Sequence, residues 1–98
     1  MNKAELVERL AETTGLSLRE SRAMVDAIFD PDPSIGLIAR ELAGGAKVAI
    51  SGFGTFEARA RKARVGRNPH TGEVLDIPAS RAPVFKAGKP LKETLRAG

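Results

Sequence analysis

The chain has 98 residues, 42% of them apolar and 29% charged, with a formal net charge of +4. That length bounds it to one small domain (residues 1–98) whose core would leave a lone copy marginal, so a second copy is expected to enlarge it. Cysteine is absent and His70 is the only histidine, which excludes disulfides, thiolate metal sites and a histidine-built metal centre.

The first half reads as helix. Asn2 with Glu5 three residues on makes a capping-box-like start, and Leu6, Val7 and Leu10 recur at helical spacing until Gly15 stops the run. Ser17 with Glu20 opens a second helix whose apolar positions include Met24, Val25, Ile28 and Phe29. Two short helices joined at Gly15 predict a helical hairpin. Glu5, Glu8, Glu12 and Glu20 sit among its charges, so neither helix offers the basic face of a DNA-reading helix-turn-helix. Asp30-Pro31-Asp32-Pro33-Ser34 then interrupts, because two prolines cannot sit inside a continuous helix. Asp32 is expected to cap a new helix with Pro33 at its first position, Ile35, Ile38 and Leu42 as its apolar stripe, and Gly44-Gly45 at its end.

From Lys47 the apolar period changes to two. Val48 and Ile50 predict a half-buried strand, and Gly52-Phe53-Gly54 a turn with an aromatic anchor. Phe56, Ala58 and Ala60 then alternate with Glu57, Arg59 and Arg61, giving a small apolar face and a charged one on a strand expected to run on through Arg64. Gly66 to Gly72 contains Asn68-Pro69 and Thr71-Gly72, which is turn chemistry, and Val74, Leu75 and Ile77 predict a returning strand. Pro78 and Pro83 suit an edge strand or bends, Val84 and Phe85 re-enter the sheet, and Pro90 opens a short closing helix with Leu91 and Leu95.

Charge separates along the same division. Residues 1–56 carry six Lys/Arg against eight Asp/Glu, a net of −2, whereas residues 57–98 carry ten against four, a net of +6. A basic half beside a slightly acidic one is the footprint of a polyanion binder. Within it Arg59, Arg61, Lys62, Arg64 and Arg67 crowd onto the expected ribbon, kept slim by Ala58, Ala60, Ala63 and Gly66. Arginines on a thin ribbon suit phosphate forks and a narrow minor groove; the plainer reading is a solvated hairpin charged for solubility. Pro69 has two readings as well, a rigid ring that wedges between base pairs or a residue that only shapes its turn. Catalysis is not expected. His70 has no acid nearer than Glu73, and Gly52-Phe53-Gly54 is not a phosphate-binding loop.

Gly52-Phe53-Gly54-Thr55-Phe56, followed by Arg61, Arg64, Gly66, Asn68-Pro69 and Thr71, has the spacing of the signature shared by HU and integration host factor. The likeness extends to Ile77-Pro78-Ala79, to the run Pro83 to Lys89, and back to the helical pair. The chain thus resembles the bacterial histone-like DNA-binding family, and is closest to HU. The resemblance implies an α+β fold: an intertwined dimer with an N-terminal helical hairpin, a three-stranded antiparallel sheet with a long β-ribbon arm, and a short C-terminal helix. In this sequence those parts are residues 1–45 for helices and dimerisation, 46–88 for the sheet with an arm at about 58–78, and 89–98 for the closing helix.

By the same likeness, double-stranded DNA is the partner, bound in the minor groove with little regard for sequence and preferred when bent or nicked. The expected DNA-binding set is Lys3, Arg59, Arg61, Lys62, Arg64, Arg67, Asn68, Pro69, Arg81, Lys86 and Lys89, with Pro69 the intercalating wedge. Phe29, Ile38, Leu42, Phe53, Phe56 and Phe85 are the expected dimer core. No cofactor, metal, small-molecule ligand or membrane partner is expected. The charged start Met1-Asn2-Lys3-Ala4-Glu5 has no apolar run, and a cytoplasmic location is expected, nucleoid-associated by the resemblance. One departure stands out: family members run the second helix unbroken, whereas about six residues around Asp30 to Ile35 are inserted here. A sequence-preferring subunit like integration host factor and a basic scaffold for an acidic protein are the rival readings.

Overall fold

The computed structural model describes residues 1–97, Gly98 and the side chain of Ala97 aside. It divides between Gly44 and Gly45 into two compact units. The first is helical: α1 Lys3–Thr14, α2 Leu18–Phe29 and α3 Leu37–Ala43. Cap chemistry sets their ends. The Asn2 side chain accepts from the Glu5 amide, Gly15 closes α1 in the left-handed region, and Ser17 and Glu20 form a reciprocal capping box on α2. The first two helices pack on each other, as the hairpin reading requires. Their buried centre is thin, with Val7 and Val25 at 3% exposure and Ser21 fully covered.

The inserted segment folds differently from expectation. Asp32 does not cap a helix. Its Oδ1 accepts from the Ser34 amide and hydroxyl at 2.9 and 2.8 Å, and its carbonyl accepts from Ile35 and Gly36. Residues 30–36 are therefore a self-contained turn, Ile35 is exposed on it, and α3 starts only at Leu37 behind Gly36. The guanidinium of Arg40 reaches back to the Pro33 and Ser34 carbonyls, at 3.0 and 3.2 Å, taking acceptors that a continuing helix would have used.

The second unit holds a three-stranded antiparallel sheet of β1 Val48–Ile50, β2 Gly54–Arg61 and β5 Ser80–Ala87, in the order β1-β2-β5. Pro83 lies on β5, an edge strand, where its missing N–H costs no ladder bond on the open side. The strand expected to run unbroken from Phe56 through Arg64 stops at Arg61. A separate two-stranded ribbon follows, β3 Arg64–Arg67 paired with β4 Val74–Ile77. The gap at Lys62-Ala63 lies across from Pro78-Ala79, where proline cannot donate to a ladder. The closing helix is α4, Lys89–Ala97; the last residue of the expected 89–98 segment lies outside the described residues.

Candidate nucleic-acid interface

The β2–β5 ladder runs from Gly54 opposite Ala87 to Arg61 opposite Ser80, and its burial falls away along its length. From Arg59 outward every residue of β2 is exposed, so this end of the sheet and the ribbon beyond it form an arm. Directly paired residues share a face, which puts Arg64 with Ile77 on one side of the ribbon and Arg67 with Val74 on the other. Cations therefore line both faces. Among the described residues no ion pair involves Arg61, Lys62, Arg64 or Arg67. Beside them stand apolar side chains left in the open, chiefly Val65, Val74 and Leu75. The exposed Val65 is not foreshadowed in the sequence, because a single valine among arginines carries no periodic signal.

Asn68 organises the arm tip. Its Oδ1 accepts from the His70 amide at 2.8 Å and from Thr71 at 3.4 Å, its own amide donates to the Glu73 carbonyl, and Gly72 donates back to its carbonyl. This is an Asx-type turn, and it places Pro69 exposed at the extremity. Asn68, expected to touch DNA, has its side-chain carbonyl engaged in the turn that presents its neighbour.

The other expected cations are placed less uniformly. Lys3 lies in the helical unit, with its Nζ 2.6 Å from Asp26 Oδ1. Arg81 pairs with Ala60 across the ladder, and Lys89 is exposed at the start of α4. Lys86 Nζ is 2.8 Å from Glu57 Oε1, Lys47 Nζ is 3.3 Å from Oε2, and Arg59 Nη2 is 3.4 Å from Oε1. Glu57, whose alternation put it on a solvent-facing side, is instead buried at 8% exposure beneath these three cations. The hydrogen bond from Lys86, then that from Lys47, holds its carboxyl down at about 2. Period-two reading missed Glu57 and Lys47, because alternation cannot tell a face covered by long side chains from an open one.

On the opposite side of β2, Phe56 packs against Phe85 with ring centroids 4.8 Å apart, and Phe53 joins at 5.5 Å. This cluster is incompletely covered, with Phe85 41% and Phe53 47% exposed. Phe29, Ile38 and Leu42 belong to the helical unit, Phe29 exposed and the other two half-buried. Among the described residues no group of acidic, histidine or cysteine side chains is placed to hold a metal ion, and no helix is long and apolar enough to cross a membrane.

Comparison with known proteins agrees with this geometry. The family model for bacterial DNA-binding proteins matches residues 1–96. The chain is 50% identical over 96 residues to the DNA-binding protein HU of Geobacillus stearothermophilus, covering 98% of this chain and 100% of that protein. Among solved structures it is similar to HU of Anabaena in a cocrystal with DNA, at TM-score 0.85, 41% identity and full coverage of both chains. HU from Thermotoga maritima is similar at TM-score 0.63 and 32% identity, over 97% of this chain and 98% of that one.

Proposed function

The chain belongs to the bacterial DNA-binding protein family that includes HU, and from that premise we propose that it is a non-enzymatic architectural protein that binds and bends duplex DNA as a homodimer. The observation that carries this reading is the exposed arm, whose Arg61, Lys62, Arg64 and Arg67 make no ion pair among the described residues and whose extremity is an exposed proline. Guanidiniums on a slim ribbon attract phosphates from either side, while the apolar Val65, Val74 and Leu75 suit the sugar-lined walls of a minor groove. Pro69 enters a base step as a rigid wedge. Arg59 and Arg81 at the root of the arm, with Lys86 and Lys89 on the body, supply further phosphate contacts, and Lys3 is a contact of the helical unit.

Binding is driven by release of counterions, with a logarithmic salt slope of about −0.9 for each phosphate neutralised. Bending the duplex costs on the order of 1–6 kcal/mol for bends of 40–90°. Wedge insertion concentrates that bend at two kinks, and the added contacts offset it. Sequence preference is weak, since minor-groove edges present a degenerate pattern. Nicked or kinked DNA binds better because part of the deformation is already made. Asp30 and Asp32 are not among the residues that meet phosphates.

The homodimer reading draws on the open apolar surfaces. Among the described residues Val7 and Val25 alone are buried apolar side chains, while Phe29, Phe53 and Phe85 remain exposed. A second copy covers them. Labelled linear and nicked duplexes titrated with the pure protein test the function, and FRET between duplex ends tests the bend. Pro69→Ala is expected to reduce the bend while retaining most salt-dependent affinity; Arg61→Ala with Arg64→Ala is expected to weaken binding to every sequence. An unchanged bend in Pro69→Ala removes the wedge role.

A further inference from the structure

Glu57 is the one acidic residue on the three strands of the larger sheet, and its carboxylate is nearly covered. Its cations come from three places: Lys86 from β5, Arg59 from β2 itself, and Lys47 from just ahead of β1. The register accounts for the convergence. Glu57 pairs with Val84, so Lys86 two residues on lies diagonally across the same face, and Val48, next to Lys47, pairs with Phe56. The layering runs one way. The side chains of Lys47, Arg59 and Lys86 are 68%, 57% and 57% exposed, and that of Glu57 is 11% exposed. Each cation gives Glu57 one contact, and ammonium and guanidinium groups carry three and five donors.

We propose that Lys47, Arg59 and Lys86 form one phosphate-contact platform on this sheet face, and that Glu57 is built into it as an internal counter-ion that limits how tightly it holds DNA. The inference rests on the DNA-binding reading above. A phosphate meeting the platform encounters three cations and a carboxylate within 3.4 Å of each, a formal charge of +2 in place of +3. Those separations are well inside the screening length of roughly 8 Å at physiological salt, so solution ions do not hide the carboxylate from the phosphate. The carboxyl stays ionised at any pH used to study DNA binding, since its pKa is about 2. The outer arm, by contrast, carries no such restraint: Arg61, Lys62, Arg64 and Arg67 enter no ion pair among the described residues. The molecule thus combines an unrestrained arm with a moderated body, which favours release and rebinding along a duplex over permanent attachment.

The test is Glu57→Gln, which keeps the shape and an acceptor oxygen but removes the charge, measured on the full chain with a short labelled duplex across a range of salt. One added positive charge per chain, two per dimer, is expected to steepen the logarithmic slope by about 1.8, which over the decade below 1 M salt amounts to binding about sixtyfold tighter at 0.1 M. Glu57→Gln combined with Lys86→Gln should return the slope to that of the parent. Circular dichroism at the assay temperature checks that each variant is folded, and Glu57→Thr, a good strand former, repeats the measurement if Gln is not tolerated. Unchanged or weaker binding by a folded variant overturns the proposal, and failure of both variants to fold does too, because Glu57 would then be a structural anchor. A parent protein indifferent to DNA instead overturns the functional reading itself.

Discussion

Two residues, each two positions from a limit of the basic cluster Arg59 to Arg67, divide the work of this surface, Glu57 beneath it and Pro69 at its tip, and each depends on neighbours that sequence alone does not display. Pro69 is exposed because Asn68 ties the turn with both its backbone and its side chain. Glu57 is buried because three long cations close over it. Its carboxyl, normally near 4.5, is depressed to about 2 by Lys86 and then Lys47. A depressed folded-state pKa stabilises the protein above the unfolded value and loses that contribution as pH falls through the folded one. The stabilising effect of Glu57 should therefore be complete above about 4.5 and disappear on acidification toward 2. Asp32 shifts in the same direction, through its hydrogen bonds from the Ser34 amide and hydroxyl, so the comparison must isolate one group. Melting temperatures of the parent and Glu57→Gln, followed from neutral pH into that acid window, should converge as pH drops. Parallel curves would show that the carboxylate contributes no pH-dependent stability.

At the scale of elements, the helices were legible because their ends are set by local chemistry. Asn2, Gly15 and the Ser17–Glu20 box each bond a partner no more than four residues away, and each acts as its spacing predicts. The inserted turn was not legible for an equally local reason. Asp32-Pro33 satisfies the pattern of a helix start, but Ser34 offers both an amide and a hydroxyl to the same carboxylate and closes a tighter turn. Arg40, the fourth residue of α3, then locks that turn through two carbonyls. Gly36 is the tight point, since a Cβ there would strike the carbonyl oxygen of Asp30. Gly36→Ala should accordingly destabilise the protein by about 1–3 kcal/mol, the usual cost of overpacking, read as a lower urea midpoint. A midpoint equal to that of the parent would mean that the turn yields without loss. On the arm, the expected single strand became two because Pro78 interrupts the ladder, a consequence of pairing partners that a one-strand pattern does not include.

For the whole molecule the decisive quantity is how little apolar surface one chain covers. Only Val7 and Val25 are buried apolar side chains among the described residues, while Phe29, Phe53 and Phe85 are open. A chain of this size with so small a core depends on association for its stability. Its melting temperature should therefore rise with protein concentration, and Phe85→Ala should lower it and raise the concentration needed for assembly, as read by calorimetry and sedimentation. A melting temperature independent of concentration would mean that one chain is stable by itself.

Sequence by itself determined the order and kind of the elements, the basic second half, the arm with its Asn68-Pro69 tip, and the family. These depend on contacts between residues near in the chain, on periodicity and on fixed spacing, all of which are local. Tertiary structure alone decided that Glu57 lies under Lys47, Arg59 and Lys86, that Asn68 closes a turn, and that residues 30–36 fold back on themselves. Each of these requires knowing which groups meet across a ladder or compete for one acceptor, and distance in space is not written in distance along the chain.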